Sequence, residues 1–252
     1  SYIRFVVKSK KEIIGSWTNL NKGKNYQIPF RATYGLEETA SDLGAEALSG
    51  RWKAVFSPDT QDAEYAIGIF KADKTYHLSG TFLTETGDYR FLEGKTSSGN
   101  QFMLSCFDGS HAFLFTGSLT NGEINGLFFS GKHYQTKWKA TKNETFQLRN
   151  ADSLTYLINS DVFSFKLKDL EGKDFIFPNE QYKGKPTIIQ IMGTWCPNCL
   201  DETKFLKEMY DKYHVSGLEI ISVGYETPPT FEGKVEKIKL LKDRLDLHFT
   251  FL

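Results

Sequence analysis

The chain has 252 residues, of which 40% are hydrophobic, so it can bury the cores of two domains of about 100–150 residues each. Lysine plus arginine equals aspartate plus glutamate at 31 each, and this zero formal charge excludes nucleic acid and anionic lipid as main partners. No apolar run approaches the ~20 residues of a membrane-spanning helix, and no signal peptide is visible. Because the sequence starts at Ser1 rather than Met, we expect it to be a processed or trimmed product.

Residues 1–150 are predicted to form an all-β, antiparallel sandwich or barrel. Apolar and polar residues alternate over short runs, and turn residues separate one run from the next. The predicted strands include Tyr2–Val7, Asn25–Tyr34, Arg51–Ser57, Gln101–Phe107 and His111–Gly117. The segment Glu37–Leu48 is polar and poorly periodic, and it is predicted to be a loop.

The pattern changes after residue 150. Residues 151–160 are predicted to be a linker with a short helix around Ser153–Ile158, and residues 161–252 to be an α/β domain with parallel strand pairing. Its predicted elements are a hairpin of Phe163–Leu167 and Asp174–Phe177, a strand Thr187–Met192 buried on both faces, a helix from Cys196 to about Tyr213, a strand Leu218–Val223, a helix Glu232–Leu245 and a last strand beginning in His248–Leu252. The inner face of the first helix is predicted to carry Leu206, Met209, Tyr210 and Tyr213, and that of the second Val235, Ile238, Leu241 and Leu245.

The motif Cys196-Pro197-Asn198-Cys199 stands where a buried strand passes into a helix. Unpaired N–H groups and the positive end of the helix dipole favour a thiolate there, and the thiolate is the nucleophile of disulfide exchange. Pro197 fits the first helical turn because its missing N–H costs nothing there. These features predict Cys196 as the attacking sulfur and Cys199 as the resolving sulfur, with Trp195 shielding one side.

Other uses of these cysteines stay open. A Cys-x-x-Cys pair is half a zinc site, but Cys106 lies in the other domain and the five histidines lack ligand spacing, so no metal is predicted. An inert structural disulfide is a second alternative. Cys106 itself alternates with Phe102 and Leu104, which favours a buried small hydrophobe over a regulatory thiol.

The C-terminal residues resemble a known family. Lys185-Pro186, the apolar strand and Gly193–Cys199 look like the thioredoxin-like superfamily, and the hairpin motif Phe165-x-Leu167-x-Asp169-x-x-Gly172 is similar to TlpA-like thiol:disulfide oxidoreductases of bacterial envelopes. Glu202 occupies a position where many members carry an acidic residue. The N-terminal half, with its strands from Trp52 to Trp138, resembles the β-rich domain that precedes such modules in Bacteroidota envelope proteins.

The resemblance implies a thiol:disulfide oxidoreductase, favoured in the reducing direction, that needs no cofactor beyond its own dithiol. The implied partners are protein thiols or disulfides and an electron donor of the envelope. The implied location faces the periplasm, with membrane contact only through a lipid anchor outside this chain. Apart from the resemblance, helix geometry puts Glu202 and Cys199 on neighbouring faces, so Glu202 is a candidate proton acceptor for Cys199 and equally a candidate solvated charge of the helix surface.

Two departures from the family carry expectations of their own. Thr203 stands where the family often has a helix-kinking proline, so the helix is expected to be straighter. The family's fold continues with a cis-proline loop, two strands and a helix, so the domain at 161–252 is predicted to be incomplete and the native chain to continue past Leu252.

Two other functions remain as alternatives. In the first, the β domain captures a partner and the thioredoxin-like part is structural or vestigial. In the second, Cys196 reacts with peroxide, as exposed thiolates of low pKa do.

Overall fold

The computed structural model describes residues 2–23, 25–35, 45–73, 77–97, 100–108, 111–158 and 163–252. The chain forms two compact units, the first ending at Leu154 and the second beginning at Thr155. This division falls within the segment 151–160, where the sequence predicts the linker. No helix of the described ranges is long and apolar enough to cross a membrane.

A three-stranded antiparallel sheet opens the first unit. It consists of β1 (Tyr2–Ser9), β2 (Glu12–Thr18) and β3 (Gln27–Thr33), in that spatial order. The sequence predicts β1 and β3 but misses β2, because Gly15 interrupts its alternation. A side chain at position 15 would collide with the Arg4 carbonyl group and the Phe30 ring, which explains why glycine stands there.

The rest of the first unit is a closed barrel, which resolves the predicted choice between sandwich and barrel. Its elements are α1 (Ala45–Leu48), β4 (Gly50–Phe56), β5 (Glu64–Ala72), β6 (His77–Thr84), β7 (Gly87–Asp88), β8 (Leu92–Ser97), β9 (Gln101–Phe107), β10 (Ala112–Thr120), β11 (Glu123–Ser130) and β12 (Tyr134–Lys142). The strands are ordered β5-β4-β12-β11-β10-β9-β8-β6-β7, and β5 also pairs with β6. That extra pairing joins the two ends of the sheet and removes its long open edges.

The prediction of a loop over Glu37–Leu48 is wrong for its last four residues, which form α1; residues 37–44 lie outside the described residues. The turn is fixed by tertiary contact rather than by periodicity. Leu48 is fully buried in the barrel core, and its carbonyl oxygen accepts a hydrogen bond of 2.9 Å from Nε1 of Trp52.

Aromatic side chains fill the barrel. Phe115 and Phe128 stack with ring centroids 4.5 Å apart, and Trp138 is fully buried with its Nε1 donating to the Thr116 carbonyl oxygen at 3.0 Å. Gly126 leaves the room that the Trp138 ring occupies. The predicted alternation in β4 and β9 is confirmed, since their inward residues are buried, Cys106 only partly, and their outward ones are more exposed.

The second unit is a partial thioredoxin-like fold, as predicted. Its elements are β13 (Phe165–Lys168), β14 (Asp174–Phe177), β15 (Thr187–Met192), α2 (Pro197–Tyr213), β16 (Glu219–Gly224), α3 (Phe231–Leu245) and β17 (Thr250–Phe251). The strands β13 and β14 form the predicted hairpin, while β15, β16 and β17 form a parallel sheet with β16 at its centre.

Both faces of this parallel sheet are covered, but unequally. One face packs against α2 and α3 through a core of Met192, Leu206, Ile220, Ile238, Leu241, Leu247, Phe249 and Phe251. The other face carries a smaller cluster of Ile221, Tyr182 and Leu252. Three aromatic residues of the β13–β14 hairpin, which we call the hairpin aromatics, pack around it: Phe165, Phe175 and Phe177. Since that cluster does not reach the end of β15, Ile191 is exposed, and the prediction that this strand is buried on both faces is wrong there.

Two further predictions need correction. Tyr213, expected on the inner face of α2, is exposed because it is the last residue of the helix and lies past the core. The short helix predicted at Ser153–Ile158 is instead a 3-10 turn at Ala151–Ser153, where the Asn150 side chain accepts a hydrogen bond from the Asp152 N–H.

Candidate functional site

The cysteine motif begins α2 directly after a three-residue turn that follows β15. Cys196 is the N-cap residue, with extended backbone angles of −93° and 115°, and Pro197 is the first helical residue. The Sγ atom of Cys196 accepts a hydrogen bond of 3.2 Å from the backbone N–H of Cys199. A sulfur in this position faces the positive end of the helix dipole, which favours its negatively charged form.

Cys196 and Cys199 are joined by a disulfide, with their Cα atoms 5.3 Å apart. Both residues are partly exposed, and Cys199 packs against the main core of the second unit. In this oxidised form neither sulfur is available as a zinc ligand, and the described residues contain no group of three potential metal-ligating side chains. An inert structural disulfide would also appear bonded, but the partial exposure of this one favours exchange.

A buried polar network lies directly behind the disulfide, and its centre is Gln190 in the middle of β15. The Gln190 side chain is 3% exposed, and its Nε2 donates to Oε2 of Glu202 at 2.9 Å and to Oγ1 of Thr203 at 3.1 Å. Its Oε1 accepts from Oγ of Ser222 at 2.7 Å. Thr203 Oγ1 also lies 2.7 Å from the Cys199 carbonyl oxygen, which connects the network to the cysteine motif.

Glu202 is thus connected to Cys199 through Gln190. Its carboxylate accepts from Gln190 Nε2, and that same nitrogen lies 3.4 Å from the Cys199 carbonyl oxygen. The residue as a whole is exposed. Proton transfer between Glu202 and the Cys199 sulfur therefore stays a prediction. Thr203 occupies an uninterrupted stretch of α2, in agreement with the absence of a proline kink.

The turn before Cys196 is held by the segment that follows β16. Trp195 is 53% exposed, its ring lies against Gly193, and its Nε1 donates to the Tyr225 carbonyl oxygen at 2.8 Å. The buried carboxylate of Glu226 accepts hydrogen bonds from the backbone N–H of Thr194 at 2.6 Å and from its hydroxyl at 2.7 Å. Trp195, which precedes Cys196 in the chain, is thus held at the protein surface, and its shielding of the disulfide stays a prediction.

The sequence reasoning missed Gln190, Ser222 and Glu226 as members of this site. A signal for two of them was present, because Gln190 and Ser222 are polar residues inside otherwise apolar buried strands. Such residues need buried hydrogen-bond partners, and the register of β15 and β16 places them opposite each other.

Cys106 lies in the first unit, on the barrel strand β9. It is partly buried against the barrel core, and its Sγ donates to the Tyr89 carbonyl oxygen at 3.7 Å. Burial raises the pKa of the Cys106 thiol to about 11. These properties agree with the expected role as a small core side chain.

Residues 158–252 match the AhpC/TSA family. Over 66 residues the chain is 36% identical to the thiol-disulfide oxidoreductase ResA of Bacillus thuringiensis subsp. konkukian, an alignment that covers 26% of this chain and 37% of that protein. Over 70 residues it is 30% identical to the thiol:disulfide interchange protein DsbE of Vibrio cholerae, covering 28% of this chain and 36% of that protein. The chain thus spans less than two fifths of the length of these two curated relatives.

Solved structures similar to parts of the chain include the thioredoxin domain of a thiol-disulfide oxidoreductase from Bacteroides vulgatus, with a TM-score of 0.30 and 19% identity over 35% of this chain and 58% of that one. A secreted disulfide oxidoreductase from Mycobacterium tuberculosis gives a TM-score of 0.29 and 20% identity, with the same coverage of both chains. The lipid binding protein 8 of Caenorhabditis elegans gives a TM-score of 0.29 and 13% identity, over 41% of this chain and all of that one.

Proposed function

We propose that the protein is a thiol:disulfide oxidoreductase acting on other proteins, since residues 158–252 match the AhpC/TSA family. The observation that carries the proposal is the disulfide between Cys196 and Cys199, with Cys196 at the N-cap of α2. The names of the relatives, thiol-disulfide oxidoreductase and thiol:disulfide interchange protein, support the same reaction class.

The position of Cys196 at the start of α2 supports the proposal that its sulfur is reactive. A free cysteine has a pKa of about 8.5, and at helix N-termini or in Cys-x-x-Cys motifs this falls to roughly 3.5–7.5. Each unit of lowering corresponds to about 1.4 kcal/mol in favour of the thiolate. Here the favourable interactions are the N–H of Cys199, aimed at the Cys196 Sγ, and the positive end of the α2 dipole.

In the reducing direction the reaction has two exchange steps. The Cys196 thiolate attacks one sulfur of a substrate disulfide, forming a mixed disulfide and releasing the other substrate sulfur as a thiolate, which takes up a proton. The Cys199 thiol then loses its proton and attacks the Cys196 sulfur, releasing the second substrate thiolate. Two electrons pass from the dithiol to the substrate, and the chain ends in the bonded form seen in the structure.

The proposed partners are proteins with accessible disulfides or thiols, and an electron donor that reduces the Cys196–Cys199 bond again. The dithiol itself carries the electrons, so the reaction needs no further cofactor. We place this activity on the periplasmic side of a bacterial envelope, where disulfides persist and need specific reduction. A lipid anchor outside this chain is part of the same proposal.

The experiment combines a measurement and a trap. The reduction potential is measured by equilibration with glutathione, and the full chain is assayed for reduction of insulin disulfides. A Cys199→Ser variant should accumulate a mixed disulfide through Cys196, while a Cys196→Ser variant should form none. A wild-type protein whose cysteine pair resists exchange in both assays contradicts the proposal.

One observation favours a second function, in which the first unit captures a partner or ligand. An apolar cavity of about 610 Å³ lies between the three-stranded sheet and the barrel and is lined in part by Trp17, Phe30 and Phe107. If a Cys196→Ser variant keeps its cellular role and its partner binding unchanged, this second function is the correct one.

A further inference from the structure

Glu226 is a buried carboxylate that the exchange chemistry described above does not use. It lies two residues after the end of β16 and is 8% exposed. Burying an ionised carboxylate is costly unless hydrogen bonds satisfy its oxygens. Both oxygens are satisfied here, and by one residue: Oε1 accepts from the Thr194 N–H at 2.6 Å, and Oε2 accepts from the Thr194 hydroxyl at 2.7 Å.

Thr194 is the middle residue of the turn that leads into the cysteine motif. Inside that turn, the Cys196 N–H donates to the Gly193 carbonyl oxygen at 3.0 Å. The segment after β16 contributes further hydrogen bonds: the Tyr225 N–H donates to the Met192 carbonyl oxygen at 2.7 Å, and the Tyr225 carbonyl oxygen accepts from Nε1 of Trp195 at 2.8 Å. Residues 225 and 226 together thus make four hydrogen bonds to residues 192–195.

We propose that Glu226 is a positioning residue for thiol–disulfide exchange, which fixes the turn 193–195 and thereby the direction in which Cys196 presents its sulfur. The inference rests on the proposed function. Only two peptide units separate Thr194 from Cys196, about 7 Å of chain, so a change at Thr194 is transmitted to the cysteine. Exchange depends on the alignment of three sulfur atoms, and misplacement by about 1 Å can cost 10²-fold in rate.

The chain offers a matched control for Glu226. Glu219 is also a buried carboxylate of β16, 6% exposed, and it pairs with Lys185 Nζ at 2.7 Å. It begins the strand, whereas Glu226 follows its end, so the two carboxylates lie at opposite ends of the same strand. A Glu219→Gln variant removes a buried charge of the same type without touching the turn.

The test measures the pH dependence of the reaction between the reduced full chain and glutathione disulfide, followed to closure of the Cys196–Cys199 bond. The plateau at high pH reports geometry, because the attacking sulfur is fully ionised there, while the midpoint reports its pKa. We expect Glu226→Ala to lower the plateau about tenfold, and Thr194→Val, which removes only the hydroxyl contact, about threefold. Glu226→Gln, which keeps one acceptor oxygen, should retain more of the rate than Glu226→Ala.

The control decides between positioning and simple stabilisation. Glu219→Gln is expected to lower the protection of the second unit against hydrogen exchange while leaving the plateau rate within twofold of wild type. If the plateau rates of Glu226→Ala and Thr194→Val also stay within twofold of wild type, the positioning role is overturned. The proposed function is unaffected by that result, because it is judged by the exchange rate of the wild-type chain. A wild-type chain without exchange activity defeats the proposed function itself. Thr194→Val keeps the test decisive if Glu226→Ala does not fold.

Discussion

Replacing Gln190 by leucine tests the buried network behind the disulfide most directly. Leucine has a similar size and fits the apolar strand, so the main effect is the loss of hydrogen bonds. Ser222 is fully buried, and its hydroxyl loses the acceptor Oε1 of Gln190 that lies 2.7 Å away. A buried polar group left without its partner costs about 1–3 kcal/mol, and loss of the donors to Glu202 and Thr203 adds to this. We expect Gln190→Leu to destabilise the second unit by about 2–3 kcal/mol.

The assay is native-state hydrogen exchange of the β15 and β16 amides, because whole-chain unfolding would combine the transitions of two units. Adding Ser222→Ala to Gln190→Leu should recover about 1 kcal/mol or more, since removing both partners of a buried hydrogen bond costs less than removing one. Gln181→Leu, at an exposed glutamine, is the control and should change stability by less than about 0.5 kcal/mol. A Gln190→Leu variant as stable as this control refutes the reasoning.

Three other experiments test separate parts of the first unit. Burial raises the pKa of Cys106 to about 11, so little of its reactive thiolate is present at pH 8. At this pH the native protein should react with iodoacetamide at Cys106 at least about tenfold more slowly than the unfolded chain, as measured by mass spectrometry. Equal rates contradict the assigned burial. Trp138→Phe should cost the barrel about 2–4 kcal/mol, since it leaves a void and removes the hydrogen bond to the Thr116 carbonyl oxygen, and hydrogen exchange in β12 should report it. Burial and the nearby Lys22 lower the pKa of His133 below 6.5, so the unfolded chain binds a proton at this histidine at a higher pH than the folded chain does. The stability contributed by neutral His133 is therefore present above pH 6.5 and is lost as the pH falls through the lowered pKa. A His133→Gln variant should lose less thermal stability than wild type between pH 7 and pH 5, and an equal loss rules the effect out.

Most of the second unit could be predicted because its signals are local. A largely apolar run marks β15, and the Cys-Pro dipeptide marks the start of α2, where the missing N–H of Pro197 is tolerated. The inner residues Ile238 and Leu241 of α3 follow from helical periodicity. The exposure of Ile191 could not be predicted in this way, since it depends on how far the hairpin aromatics reach across the sheet.

The first unit shows a different limit. Alternation predicts its strands, but the closure of the barrel depends on the pairing of β5 with β6, which alternation does not reveal. The helical turn α1 is held by the burial of Leu48 in the barrel core and by the hydrogen bond from the Trp52 indole to the Leu48 carbonyl group. Elements that tertiary contacts fix are invisible to a search for periodicity.

The site shows why polar residues inside apolar strands deserve more weight than their number suggests. Gln190 and Ser222 each interrupt a run of aliphatic residues. Buried without a hydrogen-bond partner, either side chain would destabilise its strand. When the apolar runs of β15 and β16 are aligned as parallel neighbours, the two polar residues fall opposite each other and satisfy each other. The cost of burying them is then offset, and a network remains that joins the sheet to α2 through Thr203 and the Cys199 carbonyl group. Paired polar interruptions in adjacent buried strands can therefore be searched for in sequence alone, and here they point to the residues behind the cysteine pair.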